Sequence, residues 1–79
     1  MENFNQIESD ILNKIKNIRD RNSYESTRTE IFGKKGIITE LFKKIGSLDQ
    51  SQRKDYASNL NSLKTKVTEI LDELSKYLF

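Results

Sequence analysis

The carboxyl-terminal part of the chain carries one long apolar stripe that constrains the fold more than any other feature. Seven apolar residues follow one another at alternating spacings of four and three: Tyr56, Leu60, Leu63, Val67, Ile70, Leu74 and Tyr77. The alternation is a heptad repeat in which Leu60 begins the a positions and Tyr56 the d positions, with Leu71 and Leu78 added at e. It predicts a helix from about Asp49 to at least Leu78. Such a stripe must be buried against another helix, so Tyr56 and Tyr77 are expected in the core in preference to the alternative, stacking on the bases of a nucleic acid.

The amino-terminal part of the chain has a stripe that suits this role. Isoleucines recur there at helical spacing, and a leucine widens the face: Ile7, Ile11, Leu12, Ile15 and Ile18. This pattern predicts a helix from about Asn5 to Asp20. Packing it against the last helix gives an all-α fold, an antiparallel helical hairpin or coiled coil with short accessory helices. The alternative is that the last helix pairs with a second chain.

A break is expected after the first helix. Asp20, Asn22 and Ser23 are all residues that favour the N-cap of a helix. Asn22 and Glu25 stand at the spacing of a partial capping box. A second helix is therefore predicted from about Ser23 to Phe32, although its apolar face is weak.

Two glycines bracket two lysines in the middle of the chain. Glycine enters the left-handed backbone region without a Cβ penalty, so Gly33 and Gly36 predict a helix stop, an exposed cationic turn and a restart. A short helix is expected from about Ile37 to Ile45, where apolar residues again follow helical spacing. Gly46 is expected to end it.

Positive charge is concentrated around this turn. Residues 33–66 hold eight basic and three acidic residues, whereas the segments before and after carry net charges of −1 and −2. A cationic patch between near-neutral flanks is typical of a surface that meets phosphates, although a solvated helical face is the commoner explanation of a charge cluster. The residues predicted to bind an anionic partner are Lys34, Lys35, Lys43, Lys44, Arg53 and Lys54.

Catalytic chemistry is not indicated. The chain has no histidine and no cysteine, and it lacks the glycine-rich loops that bind nucleotides. No catalytic residue, cofactor or metal site is therefore predicted in this segment. Glu69, Asp72 and Glu73 lie on the exposed face of the last helix, where either solvation or salt bridges with Lys66 and Lys76 are expected. No apolar run approaches the roughly 20 residues of a membrane span, and no signal peptide is evident.

The middle of the chain carries an ordered set of residues: Ile31-Phe32-Gly33-Lys34-Lys35-Gly36-Ile37-Ile38-Thr39-Glu40-Leu41-Phe42-Lys43, then Leu48, Arg53, Asn61 and Lys64. This set resembles the amino-terminal domain of the bacterial phenylalanyl-tRNA synthetase alpha subunit. The likeness extends from about Ile11 to Leu71 in one register. One departure is Thr27, which stands where that family usually has a leucine and weakens the packing of the second helix.

The resemblance implies a specific fold and role. In that family the domain is an antiparallel coiled-coil arm of a cytoplasmic alpha2-beta2 heterotetramer, and it holds the body of tRNA(Phe) during ATP- and magnesium-dependent attachment of phenylalanine. Residues 1–79 would then form one arm domain, a fragment whose catalytic domain is absent. By position, Lys34, Lys35, Lys43 and Arg53 match the family motif, while Lys44 and Lys54, together with Lys64 and Lys66, are assigned to RNA by charge alone. The competing hypothesis is a non-enzymatic helical hairpin that serves protein interaction or assembly.

Overall fold

In the computed structural model, which describes residues 3–78, four helices follow one another along the chain. They are α1 (Phe4–Lys16), α2 (Arg21–Phe32), α3 (Ile37–Ile45) and α4 (Gln50–Leu78). The predicted all-α fold is confirmed. The 29 residues of α4 correspond to about 43 Å of helix, so α4 runs the full 42 Å length of the molecule. None of the described helices has the length and apolar composition needed to cross a membrane.

The core forms along α4 and receives side chains from all four helices. Its buried apolar members are Ile11, Ile15, Tyr24, Ile31, Ile38, Leu41, Tyr56, Leu60, Leu63, Val67 and Leu71. The other three helices all contact α4, so its stripe is covered by α1, α2 and α3 together. This packing is consistent with the predicted hairpin and includes the accessory helices in it.

The heptad holds as far as Val67 and then shifts. Leu71, at position e, is only 2% exposed, whereas Ile70, at position d, is half-buried. A straight helix of 3.6 residues per turn drifts by about 20° per heptad away from a 3.5-residue repeat, so the contact line moves from d to e. The prediction that Tyr77 is a core residue was wrong, because this d-position side chain is 84% exposed. The same prediction for Tyr56 is confirmed, at 3% exposed.

The α1 helix joins α4 through an aromatic pair and an ion pair. The rings of Phe4 and Tyr56 meet edge to face with their centroids 5.2 Å apart. The ammonium of Lys66 lies 3.2 Å from a carboxylate oxygen of Glu8. An ion pair of Lys66 with a carboxylate of α4 was one of the two alternatives, and the pair found is instead with Glu8, which the packing of α1 against α4 brings within reach.

The break between α1 and α2 comes earlier in the chain than expected and is longer. The α1 helix ends at Lys16 rather than at Asp20, and α2 begins at Arg21. The capping box joins Asp20 to Ser23, not Asn22 to Glu25: the Ser23 N–H donates to the Asp20 carboxylate at 2.8 Å, and the Asp20 N–H donates to the Ser23 hydroxyl at 3.1 Å. Hydrogen bonds from the Ser23 backbone and side chain lower the pKa of the Asp20 carboxyl.

The turn between α2 and α3 uses glycine for a different reason from the predicted one. Both Gly33 (φ −67°) and Gly36 (φ −71°) have negative φ, so the left-handed conformation expected of them was wrong. Instead, a Cβ on Gly33 would collide with the carbonyl oxygen of Thr29, and a Cβ on Gly36 would lie 2.5 Å from that of Ile31. Glycine is required here because the turn folds back closely onto the end of α2.

Candidate nucleic-acid interface

The turn of residues 33–36, called the cationic turn below, is held rigidly between α2 and α3. The Gly33 N–H donates to the Thr29 carbonyl and the Gly36 N–H donates to the Gly33 carbonyl, both at 2.8 Å. The Thr39 hydroxyl of α3 donates to the Phe32 carbonyl at 3.2 Å. Gly36 is itself buried. Two lysines are therefore presented on a backbone that has little freedom to move.

Four of the six predicted binding residues belong to this turn and to α3. Lys34 and Lys35 are exposed on the turn, and Lys43 and Lys44 are exposed on the last turn of α3. The Lys43 ammonium lies 3.5 Å from the Lys34 carbonyl oxygen, which places it beside the cationic turn. Lys43 also lies 3.4 Å from a carboxylate oxygen of Glu40, which partly neutralises the charge of Lys43.

Arg53 has a structural task that the sequence did not indicate. Its Nε donates to the Leu48 carbonyl at 3.0 Å, and its Nη2 donates to the Gly46 carbonyl at 3.2 Å. These bonds fix the loop between α3 and α4 by satisfying carbonyl groups that the end of a helix leaves open. Arg53 and the exposed Lys54 therefore lie beyond the carboxyl end of α3, away from the cationic turn.

Lys64 connects α4 to the surface formed by α3. Its ammonium lies 5.6 Å from the centroid of the Phe42 ring, a distance at which a cation is attracted to the ring face. Lys64, which the sequence assigns to RNA by charge alone, therefore also braces α4 against α3. On the acidic part of α4, the predicted pair of Lys76 with Glu73 is present at 3.1 Å.

A groove between α2 and α4 opens beside this surface. It has a volume of about 310 Å³ and is lined by Arg28, Phe32, Lys64, Thr68, Leu71 and Asp72. Arg28 and Phe32 were not predicted as site residues, because sequence periodicity within one helix does not reveal which residues of two helices meet. Within residues 3–78, no group of three or more acidic, histidine or cysteine side chains is arranged to hold a metal ion.

Comparison with known proteins agrees with the resemblance. Residues 19–78 match the family described as aminoacyl tRNA synthetase class II, N-terminal domain. The phenylalanine–tRNA ligase alpha subunit of Pseudomonas fluorescens is 33% identical over 72 residues, which make up 91% of this chain and 21% of that protein. Its counterpart in Brucella anthropi is 36% identical over 73 residues, covering 92% of this chain and 20% of that protein.

A third relative has the same character. The alpha subunit from Agrobacterium fabrum is 30% identical over 73 residues, covering 92% of this chain and 20% of that protein. The chain thus spans about a fifth of the length of the curated relatives it matches. No solved structure matches it significantly. With four helices in place and the family pattern matched over most of its length, the chain belongs to the family of N-terminal domains of class II aminoacyl-tRNA synthetases, and its relatives are phenylalanine–tRNA ligase alpha subunits.

Proposed function

We propose that this chain is a tRNA-binding helical arm that positions tRNA(Phe) for a phenylalanine–tRNA ligase. The observation that carries the proposal is the grouping of Lys34, Lys35, Lys43 and Lys44 around a turn whose backbone is fixed by Gly33 and Gly36. Residues 33–46 hold these four cations against a single carboxylate, that of Glu40. Lysine contacts to phosphate supply affinity and orientation without reading sequence, which suits recognition of a folded RNA by its shape.

The chemistry of the parent enzyme would lie outside this segment. In this proposal residues 1–79 form one arm domain of a longer alpha subunit, which assembles with beta subunits as an alpha2-beta2 heterotetramer in the cytoplasm. The parent would attach phenylalanine to tRNA(Phe) using ATP and magnesium. In this proposal both bind in a catalytic domain elsewhere in the parent. The arm contributes binding energy and geometry to that reaction.

The six predicted residues have unequal parts in this proposal. Lys34, Lys35, Lys43 and Lys44 form the main phosphate-binding surface. Arg53 is committed to the loop carbonyls through two of its donor groups, and its remaining N–H groups are free to point outward toward phosphate. Lys54 adds long-range attraction next to it on α4. The cationic turn is therefore expected to dominate the affinity.

The salt dependence of binding tests this function. Each phosphate contact contributes about −0.7 to −0.9 to the slope of log K against log salt concentration, so four lysine contacts give a slope of about −3 to −4. Binding of the chain to a tRNA(Phe) transcript would be measured by fluorescence anisotropy between low and moderate salt. A slope in that range supports the proposal. Affinity that barely changes with salt would contradict it, because apolar interfaces respond little to screening.

One observation favours the second hypothesis, a protein-interaction hairpin. At the carboxyl end of α4, Tyr77 is 84% exposed and Ile70, Leu74 and Leu78 are only half-buried. An apolar strip of this kind suits a protein partner. Sedimentation equilibrium distinguishes the two hypotheses, because a dimer that persists in high salt and ignores added tRNA would favour assembly over RNA binding.

A further inference from the structure

The groove between α2 and α4 is lined by apolar, aromatic and charged side chains that have no part in phosphate binding by the cationic turn. Its volume of about 310 Å³ is at the lower end of the range of about 300–1,000 Å³ in which small ligands bind. Phe32 is half-buried and Leu71 is 2% exposed, so the groove has an apolar part with an aromatic ring in it. Arg28, Lys64 and Asp72 give it charged side chains.

The charges of the groove favour an anionic occupant. Arg28 and Lys64 are both exposed. Among the described residues, neither forms an ion pair with a carboxylate, and the recorded contact of the Lys64 ammonium is with the Phe42 ring. Asp72 carries the one carboxylate that lines the groove. Two cations beside an aromatic ring suit a group that is both flat and negatively charged at its edge.

Phe32 links the groove to the cationic turn along the chain, because it lines the groove and ends α2. Phe32 is the last residue of α2 and directly precedes Gly33. Its carbonyl accepts the 3.2 Å hydrogen bond from Thr39 that fixes the turn to α3. A strand of RNA whose phosphates lie on Lys34 and Lys35 would therefore pass the Phe32 ring next.

We propose that this groove holds one unstacked nucleotide of the RNA bound by the cationic turn. The base stacks on Phe32, since every base has a π-face that an aromatic ring can receive. Its flanking phosphates contact Arg28 and Lys64, and Asp72 accepts a hydrogen bond from the ribose 2′-hydroxyl, the group that distinguishes RNA from DNA. This inference rests on the proposed function and specifies how the same surface receives part of the RNA chain.

The first test compares variants of the aromatic ring in binding to a tRNA(Phe) transcript. Phe32→Leu keeps an apolar side chain but removes the ring, and it is expected to weaken binding about tenfold at every salt concentration without changing the salt slope. Phe32→Tyr keeps the ring and is expected to bind as the wild type does. Phe4→Leu is the matched control, because it removes a half-buried ring that packs on Tyr56 outside the groove. Circular dichroism would establish that all variants are folded at the assay temperature.

The outcomes separate this inference from the proposed function. If Phe32→Leu binds as the wild type does while replacing Lys34 and Lys35 weakens binding, the groove proposal is overturned and the proposed function stands. If replacing the two lysines has no effect, or if the wild type does not bind the transcript, the proposed function fails. The groove proposal is then tested with a second ligand whose binding does not involve the cationic turn.

That probe is adenosine monophosphate, titrated into the chain while the NMR signals of the Phe32 ring are followed. Specific shifts of this ring, absent from Phe4 and abolished by pairing Arg28→Gln with Lys64→Gln, are the expected result. Adenosine monophosphate is also expected to bind more tightly than its deoxy form, and Asp72→Ala, which removes the acceptor, should remove that preference. No shift at Phe32 at millimolar nucleotide would overturn the proposal.

Discussion

Gly36 lies so close to Ile31 that a Cβ on the glycine would stand 2.5 Å from the Ile31 carbonyl oxygen. This contact presses the cationic turn onto the end of α2 and sets the direction in which α3 leaves it. The lysines of the turn therefore have their position because Gly36 carries no side chain. The proposed binding surface and this close packing contact therefore involve the same four residues, 33–36.

Replacing Gly36 with alanine should destabilise the fold. The added methyl group cannot fit without moving backbone, and overpacking of this kind costs about 1–3 kcal/mol. Gly46→Ala is the matched control, because Gly46 has right-handed helical φ and ψ and its nearest contact would be an ordinary 3.8 Å. That change should be neutral or stabilising by up to about 1 kcal/mol. Urea denaturation measures both, and equal stabilities for the two variants would contradict this account of the turn.

The Asp20 cap should make the free energy of unfolding depend on pH in the acidic range. Hydrogen bonds from Ser23 lower the pKa of Asp20 in the folded chain from its ordinary value of 3.8. A lowered folded pKa means that the contribution is fully present above the unfolded value and is lost as pH falls through the folded value. The free energy of unfolding of the wild type should therefore exceed that of Asp20→Asn near neutral pH, and the difference should shrink below pH 3.8. A difference that is constant with pH would exclude the charge as its cause.

The two tyrosines of the heptad should respond very differently to truncation. Tyr56→Ala removes a core side chain that is 3% exposed and is expected to cost about 3–5 kcal/mol. Tyr77→Ala removes a side chain that is 84% exposed and should change stability by less than about 0.5 kcal/mol. Thermal or urea unfolding of the monomer checks both. A large loss for Tyr77→Ala that depends on protein concentration would instead show that a second chain covers this end of α4.

The stability of the fold should depend on the guanidinium geometry of Arg53 as well as on its charge. Arg53→Lys keeps the charge but cannot reproduce the two hydrogen bonds to the Leu48 and Gly46 carbonyls, so a loss of about 0.5–1.5 kcal/mol of stability is expected. RNA affinity and its salt slope should stay close to those of the wild type. If Arg53→Lys retains full stability, the loop does not depend on these bonds. If it lowers the salt slope, Arg53 contacts phosphate through its guanidinium specifically.

The sequence predicted the helices whose bounds depend on the pattern of residues along the chain. The bounds of α3 were correct because Gly36 and Gly46 flank an apolar run at helical spacing, and α4 was found within one residue because its stripe is long. The start of α2 was missed by two residues, because three cap-forming side chains compete between Asp20 and Ser23 and sequence does not rank them. These errors are confined to helix ends.

What the sequence did not predict depends on contacts between helices. The close approach behind Gly36, the loop bonds of Arg53 and the groove beside Phe32 all arise where separate elements meet. The outward position of Tyr77 has a related cause, since the packing line drifts along α4 only when its neighbours are in place. The types of residue in the sequence pointed to a cationic surface, but the packing of the helices decides which of its basic residues lie near one another.

The central claim, that the cationic turn carries the RNA, is tested most directly by charge removal at matched sites. Lys34→Ala with Lys35→Ala would be compared with Lys16→Ala with Lys76→Ala, a pair of exposed lysines outside the turn and α3. Both double variants have the same net charge, so a general electrostatic effect would be equal for the two. We expect the turn variant to lower the slope of log K against log salt concentration by about two phosphate contacts, or about 1.4–1.8, while the control keeps the wild-type slope to within half a contact. Equal slopes for the two variants would contradict the claim that the turn binds RNA.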